Sequence, residues 1–228
     1  MFLSLAFPAT KTASLLIKSS VWVPAMTIVM FACLAQHCNA ANNKNARNNN
    51  CSRKLHNIHA GLCALFVAIG SSEGLTQILK IIVLRRRPNF YHLCEFNTST
   101  KLCTATFHRV LEAQLSFPSG HTSLSFSGMT ILVWFLLGQV HYRTSSHNKG
   151  LYLLCFFPWI YACFVGISRI VDYWHHPSDV LAGFLLGTTC STIAYHLWYP
   201  PVLSRDAGIP YSYNTSSKDV KKLPSFYE

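Results

Sequence analysis

Apolar residues fall into four runs of helical length, and polar segments separate the runs. They cover residues 58–84, 122–140, 151–167 and 180–198, and Pro158 interrupts the third. A helix rises about 1.5 Å per residue, so runs of this length can cross the hydrocarbon core of a bilayer. The pattern predicts four transmembrane helices, with a kink at the proline of the third.

The first forty residues allow two interpretations. An apolar run over 21–35 follows basic residues and precedes a cleavage-like sequence at 38–40, which is the arrangement of a signal peptide. A membrane anchor is the alternative, because the run is close to the shortest length that spans and contains Pro24. The next segment, 41–54, is basic and rich in Asn, and we expect a solvated linker there.

Composition favours a membrane protein. Half of the 228 residues are hydrophobic and 12% are charged, against about 25% charged residues in soluble domains. We therefore predict an all-α fold, a polytopic transmembrane helical bundle with four spans and a fifth at the N-terminus if that segment is an anchor. The expected organisation is an N-terminal segment with its linker over 1–54, a helical domain over 55–199 and a cytosolic tail over 200–228.

The charge pattern predicts which polar segments share a face of the membrane. The net charge is +11, from 19 basic and 8 acidic residues. Lys or Arg occurs in the linker, in the loop 141–149 and in the tail, and basic loops favour the cytosolic side. The segments 85–117 and 168–179 are then expected on the opposite side, and a glycosylation sequon at Asn97 agrees with this orientation. A cleaved signal peptide would invert it, so we favour an uncleaved N-terminus.

Two classes of partner are not expected from the sequence. The basic residues flank apolar runs and no motif that reads bases occurs, so we expect no nucleic acid. The nine Cys include no CxxC pair, and the nearby Cys and His residues match no zinc-ligand spacing, so we expect no metal. Cys94 and Cys103 share one polar loop, where a disulfide forms if the loop faces an oxidising compartment.

Three polar clusters border the apolar runs on the expected non-cytosolic side. The first is Lys80 with the segment 85–88, the second is the Pro-Ser-Gly-His sequence 118–121, and the third is 168–179. Charged and protonatable groups beside hydrocarbon are costly, so such clusters indicate a functional site. The predicted topology brings all three to one membrane face, and we expect them to form one phosphate-processing site.

Five residues of these clusters suit the binding of a phosphate group. Lys80, Arg87 and Arg169 supply positive charge for the phosphate oxygens, and a guanidinium group can hold two oxygens at once. Ser119 and Gly120 precede the expected start of a helix, where the backbone approaches closely and free N–H groups face an anion.

Two histidines and one aspartate are candidates for the chemistry itself. His175 lies four residues before Asp179, so one helical turn would bring the carboxylate to one ring nitrogen and leave the other as a nucleophile. His121 can then protonate the leaving oxygen. A phosphohistidine intermediate, later hydrolysed by water, follows from these roles. The scheme needs no metal and no cofactor.

Each feature taken alone has a common structural explanation. A Lys near the end of a span usually snorkels, and a Pro-Ser-Gly sequence is usually a turn. Glu73 and Gln77 share a helix face with Lys80, where they either orient the helices as a polar network or support the lysine. Asp172 either holds Arg169 in place or contacts a lipid headgroup. Only the joint occurrence of the clusters is specific.

The clusters resemble the three-part signature of the type 2 phosphatidic acid phosphatase superfamily, in the lipid phosphate phosphatase branch that includes diacylglycerol pyrophosphate phosphatases. The matching motifs are Lys80-x6-Arg87-Pro88, Pro118-Ser119-Gly120-His121 and Ser168-Arg169-x5-His175-x3-Asp179. The resemblance covers about residues 76–198 and implies an integral membrane, Mg²⁺-independent phosphatase built as an α-helical bundle.

The resemblance implies the same division of roles among the eight site residues. In it the nucleophile is His175, its partner is Asp179 and the acid is His121. The residues implied to bind phosphate are Lys80, Arg87, Ser119, Gly120 and Arg169.

The sequence departs from the family pattern in three places. Leu84 stands where the branch usually has Gly, and Arg86 replaces a residue that is usually apolar. The region before the first motif is short and Asn-rich, whereas the family usually has two spans there. These departures leave the catalytic set intact and concern the N-terminal packing.

Two functions of different classes fit this sequence. The first is an integral membrane enzyme that hydrolyses phosphate monoesters of lipids, such as phosphatidate, lysophosphatidate and diacylglycerol pyrophosphate, on the non-cytosolic face. The second is a catalytically inactive relative that acts through lipid or protein interactions, and the intact set of His121, His175 and Asp179 argues against it. Vanadate-dependent haloperoxidases have a similar anion site, but they are soluble and the predicted spans argue against them.

Overall fold

The computed structural model describes residues 9–34, 44–143, 149–204 and 206–213, which form a bundle of α-helices with one small hairpin. In chain order the elements are α1 (Ala9–Leu34), α2 (Lys44–Val83), α3 (Phe90–Leu93), β1 (Phe96–Asn97), β2 (Leu102–Cys103), α4 (Phe107–Glu112), α5 (Gly120–Arg143), α6 (Lys149–Leu154), α7 (Phe157–Val171) and α8 (Pro177–Trp198). The strands β1 and β2 pair antiparallel. The predicted all-α class is confirmed.

In the part of the chain that the structure describes, four helical stretches are long and apolar enough to cross a membrane, as predicted. They cover Ser52–Val83, Gly120–His141, Lys149–Val171 and Pro177–Trp198. The third is divided, because α6 and α7 are separate helices. Pro158 lies in the first turn of α7, where its missing N–H removes no helical hydrogen bond. The chain is therefore an integral membrane protein with a break in its third span at the proline.

The helix α5 forms the centre of the bundle. In its span 89% of the positions are buried, against 28% in each of the other three spans. It packs against α1, α2, α7 and α8. The surrounding helices expose large apolar side chains on their outer faces, for example Ile82 and Ile160, as expected of surfaces that face lipid.

Small residues allow α8 to approach α5 closely. A Cβ atom at Gly183 would lie 2.7 Å from the carbonyl oxygen of Ser119, and one at Gly187 would collide with the carbonyl oxygen of Ser123. The Ser191 hydroxyl donates to a backbone carbonyl of α5 at 2.7 Å. Only residues without a large side chain permit this contact. It holds the first turn of α8 beside the first turn of α5.

The helix α1 is part of the bundle. The hydroxyl oxygens of Ser20 and Ser125 lie 2.8 Å apart, and Ile28 is fully buried against residues of α2 and α5. A Cβ at Gly128 would collide with the carbonyl oxygen of Ser20. The cleavage-like sequence at 38–40 lies outside the described residues.

Two polar segments are more ordered than the sequence suggests. The expected linker is wrong from Lys44 onward, because α2 begins there. Once a span forms a helix, each added residue contributes one hydrogen bond without a new nucleation step, so the helix extends into polar sequence. In the tail, residues 207–210 are buried, and the carbonyl oxygen of Gly208 accepts a hydrogen bond from Gln139 Nε2 at 2.8 Å. The tail from residue 214 on lies outside the described residues.

Candidate active site

The three polar clusters meet at one end of the bundle, where four helix ends come together. Lys80 lies in the last turn of α2 and Arg169 in the last turn of α7. His121 lies in the first turn of α5 and Asp179 in the first turn of α8. Because α2 and α7 end here while α5 and α8 begin here, residues up to about a hundred positions apart reach the same end.

His121 lies in the middle of this cluster. Its electrostatic neighbours are Lys80, Arg87, Arg169 and His175. A Cβ at Gly120 would lie 3.2 Å from Lys80 Nζ, so the glycine leaves room for the ammonium group. The Nε2 atom of His121 is buried and has no hydrogen-bond partner among the described residues. The predicted convergence of the clusters is confirmed.

His175 is buried and its ring is oriented by a backbone carbonyl. Its Nδ1 lies 2.8 Å from the carbonyl oxygen of Ser116. A carbonyl can only accept, so Nδ1 carries the proton and Nε2 keeps a free lone pair. Burial lowers the pKa of His175 below its ordinary 6.5, although the nearby Asp179 carboxylate and the hydrogen bond to the Ser116 carbonyl oppose the shift. The imidazole is therefore neutral near pH 7.

The carboxylate of Asp179 is fully buried and has three donors. Arg85 Nη1 donates to Oδ1 at 2.7 Å, while the Ser116 hydroxyl and the backbone N–H of His176 donate to Oδ2 at 2.6 and 2.9 Å. Oδ2 also lies 3.8 Å from His175 Nδ1. The predicted proximity of His175 and Asp179 is present, but the shorter contact of the imidazole is to Ser116. The reason is local, since α8 begins only at Pro177 and His175 lies outside its first turn.

The two arginines predicted to bind phosphate are held by neighbouring groups. Arg169 is 5% exposed, and its Nη2 donates to Asp172 Oδ2 at 2.8 Å. Of the two interpretations of Asp172, the structure favours the one in which it holds Arg169. The guanidinium of Arg87 lies over the ring of Trp174, 4.9 Å from its centroid. Each guanidinium plane is thus fixed before any anion binds.

The segment 118–120 supplies fewer free backbone donors than expected. The N–H of Ser119 donates to the backbone carbonyl of Asp179 at 3.0 Å, which links α5 to α8. Thr122 Oγ1 donates to Ser119 Oγ at 2.9 Å, so the Ser119 hydroxyl hydrogen is left to donate elsewhere. The N–H groups of Gly120 and His121 are in the first turn of α5, where no helical acceptor exists.

Near Lys80, two neighbouring polar residues pair with each other. Gln77 Nε2 donates to Glu73 Oε1, and Glu73 is an electrostatic neighbour of the lysine. This arrangement favours a supporting role for Glu73 and Gln77.

The polar loop between α2 and α5 is folded. The predicted disulfide between Cys94 and Cys103 is present, with Cα atoms 5.1 Å apart. It ties α3 to the hairpin of β1 and β2, and Arg109 pairs with Glu95 across the same loop.

The comparison with known families decides the identity of the chain. Residues 61–201 match the PAP2 superfamily. The chain belongs to the PAP2 superfamily. No solved structure matches it.

Relatives of this PAP2 chain have names in lipid phosphate metabolism. It is 35% identical over 173 residues to Lipid phosphate phosphatase 1 of Arabidopsis thaliana, covering 72% of the chain and 53% of the relative. It is 29% identical over 173 residues to Diacylglycerol pyrophosphate phosphatase 1 of Saccharomyces cerevisiae, covering 72% and 59%. Against human Phospholipid phosphatase 2 it is 32% identical over 132 residues, covering 54% and 45%. The chain spans about half the length of the curated relatives it matches.

Two residues of this PAP2 site escaped the sequence analysis. Arg85 was one of three consecutive arginines, and nothing in their spacing shows which one pairs with Asp179. Ser116 acts partly through its backbone carbonyl, which every residue has. The only signal for Ser116 in the sequence is its position, two residues before the Pro-Ser-Gly-His motif.

Proposed function

We propose that this chain is an integral membrane phosphatase that removes phosphate from lipid phosphate monoesters through a covalent intermediate on His175. The observation that supports this most is the contact of His175 Nδ1 with the Ser116 carbonyl, which leaves Nε2 as a neutral nucleophile. The names of the relatives suggest lipid phosphates and diacylglycerol pyrophosphate as substrates. The family resemblance adds phosphatidate and lysophosphatidate.

Binding of the phosphate group is supported by fixed positive charge around His121. Lys80, Arg87 and Arg169 are all electrostatic neighbours of this residue. Their charges, with the hydroxyl of Ser119 and the first N–H groups of α5, can stabilise the three equatorial oxygens of the transferring phosphoryl group. These groups carry the charge stabilisation, so the mechanism we propose requires no Mg²⁺.

The chemical step forms one bond and breaks one. Nε2 of His175 attacks phosphorus, and the bond between phosphorus and the lipid oxygen breaks as His121 delivers a proton to that oxygen. The lipid alcohol leaves, or phosphatidate in the case of diacylglycerol pyrophosphate, and the phosphohistidine remains. A water molecule then gives its proton to His121 and attacks phosphorus, which releases inorganic phosphate and restores both histidines.

We also propose that the site faces the non-cytosolic side of the membrane. The disulfide between Cys94 and Cys103 is typical of an oxidising compartment. Asn97 of the sequon is exposed in the same loop, and its Oδ1 accepts the N–H of Ser99 at 2.9 Å. Arg85 and Arg109, whose charges oppose this orientation, both pair with carboxylates.

Phosphate release from vesicles that contain phosphatidate tests the activity. The purified chain should release phosphate with EDTA present, and acid-quenched protein should carry labelled phosphate on His175. His175→Gln should abolish both signals, with unchanged thermal melting as the control for folding. Turnover that requires added Mg²⁺ would contradict the metal-free mechanism, and the absence of turnover would favour the inactive relative.

Glycosidase digestion of the chain expressed in eukaryotic cells tests the orientation. A peptide N-glycosidase should increase its electrophoretic mobility, and Asn97→Gln should remove the effect. Asn50→Gln removes a different sequon, near the start of α2, and should leave the mobility shift unchanged. A glycan on Asn50 instead would reverse the orientation.

A further inference from the structure

Arg85 joins two segments that hold the candidate nucleophile. Its guanidinium donates to Asp179 Oδ1 at 2.7 Å, and its backbone carbonyl accepts the N–H of Ser116 at 3.0 Å. The hydroxyl of Ser116 donates to the other carboxylate oxygen of Asp179 at 2.6 Å. These three bonds close a ring of Arg85, Ser116 and Asp179, which come from three separate parts of the chain.

This ring carries the acceptor for His175. The Ser116 carbonyl that receives Nδ1–H belongs to the residue whose N–H and hydroxyl are both fixed by the ring. Ser116 and Asp179 are fully buried, whereas the Arg85 side chain is 37% exposed and reaches the carboxylate from outside. It also donates to Ser178 Oγ at 2.7 Å, beside Asp179 in the first turn of α8.

We propose that Arg85 is a positioning residue, which fixes Asp179 and Ser116 so that His175 keeps its Nδ1–H tautomer and presents Nε2 for attack. The expected effect of Arg85 on turnover rests on the function proposed above. Its expected effect on the tautomer of His175 does not. Loss of Arg85 leaves a buried carboxylate with one donor fewer, so Asp179 and Ser116 can rearrange and the acceptor of Nδ1 is no longer fixed. Other charged groups that face His175 are Arg87 from the loop and His121 from α5, and both stay in place.

The test uses ¹⁵N NMR of histidine-labelled full-length protein in detergent, with the His175 signals assigned by their loss in His175→Gln. The wild type should show the Nδ1–H tautomer, and Arg85→Met should show a mixture of tautomers. With phosphatidate, Arg85→Met should lower kcat by about 10- to 100-fold, the range found for groups that orient catalytic ligands, and change KM little. Arg85→Lys, which keeps the charge but not the fork, should restore part of kcat.

Arg109→Met is the matched control, because it removes another Arg–carboxylate pair from the same loop, with Glu95. It should keep both the tautomer and kcat.

The double variant Arg85→Met with Asp179→Asn should lose no more kcat than Asp179→Asn alone, since Arg85 acts through that carboxylate. If Arg85→Met does not fold, Ser116→Ala removes a different bond of the same set, the one from the Ser116 hydroxyl to Asp179. The tautomer of His175 is then measured in that variant.

The proposal is overturned if folded Arg85→Met keeps the Nδ1–H tautomer of His175. It is also overturned if Arg85→Met shows a mixture of tautomers but keeps the kcat of the wild type. Additive losses in the double variant also overturn it. A lost tautomer in a protein whose wild type releases no phosphate would support the positioning role and contradict the proposed function.

Discussion

The two ends of the bundle both bury polar groups, but of different kinds. At the end that holds His175, the buried groups include the charged or protonatable residues Arg169, His175 and Asp179, and His121 Nε2 has no partner among the described residues. At the opposite end the buried groups are neutral. Tyr199 donates to Asn57 Oδ1 at 2.8 Å, and Gln139 donates to the carbonyl of Gly208 at 2.8 Å. Neutral hydrogen bonds join the tail to the helices, whereas the charged end gathers Lys80, Arg87 and Arg169 around His121.

Backbone conformation separates the two ends as well. Among the described residues, the non-glycine residues with positive φ all lie in the segments around the candidate active site, and they are Leu84, Glu95, Lys101 and Tyr173. At the opposite end the left-handed position, with φ of 77°, is occupied by Gly208. Leu84 and Tyr173 closely follow the helices that carry Lys80 and Arg169. Backbone strain of this kind is typical of functional sites and is tolerated where the surrounding structure enforces it.

Substitution of one histidine at each end of α5 should give the largest contrast. His121→Gln should lower turnover by about 10²- to 10⁴-fold, because the leaving oxygen loses its acid. His141→Gln, at the other end of the same helix and 3.1 Å from the hydroxyl of Tyr152, should keep turnover. Phosphate release measures both, with thermal melting as the check on folding. Equal losses in the two variants would contradict a catalytic role for His121.

Titration should also distinguish the ends. Because burial lowers the pKa of His175, its ¹³C-labelled ring should titrate below 6.5 and stay neutral above that value. Burial raises the pKa of Tyr199 well above 10.0, so this residue at the opposite end stays neutral through neutral pH. Between the lowered pKa and 6.5 the unfolded chain binds more protons at His175 than the folded one, so this residue makes the fold less stable as pH falls. A measured pKa of His175 at or above 6.5 would contradict the conclusion that it is buried as a neutral group.

The neutral end should affect stability and not chemistry. Tyr199→Phe removes a buried hydroxyl that donates to Asn57, and should lower the free energy of unfolding by about 1 to 2 kcal/mol. Turnover per folded molecule should not change. Melting in detergent and phosphate release measure the two quantities, and a lower kcat with an unchanged melting temperature would mean that the ends are coupled.

The smallest effect is expected from relief of strain beside the candidate active site. Leu84 has a φ of 45° and is 47% exposed, so Leu84→Gly relieves the left-handed conformation and loses little packing. It should stabilise the protein by about 1 kcal/mol. Val83→Gly, one residue earlier in the last turn of α2, is the control and should destabilise it. Equal destabilisation by both would show that φ at Leu84 carries no strain.

Much of the fold could be predicted because its signals are local. The four spans follow from continuous apolar runs, and a closely packed face on α8 follows from Gly183, Gly187 and Ser191 at helical spacing, whereas its partner α5 is known only from the structure. The eight site residues could be named because their types and spacings are characteristic. Their convergence follows from topology, since alternate ends of consecutive spans share a membrane face.

Other features depended on contacts between distant residues. Apolar length alone left α1 ambiguous, and its packing through Ser20 and Ile28 places it in the bundle. Composition suggested a linker over residues where α2 in fact begins, at Lys44. The helix forms there because extension from a packed span outweighs the weak helix propensity of Asn.

The sequence by itself determined the spans, the family and eight residues of the candidate active site, because helical periodicity and motif spacing are properties of neighbouring residues. Only the tertiary structure decided that Ser116 accepts from His175 and that Arg85, rather than Arg86 or Arg87, pairs with Asp179. These partners are 59 and 94 residues apart along the chain. A backbone carbonyl has no side-chain signature, and three adjacent arginines differ only in the direction in which the folded loop points them.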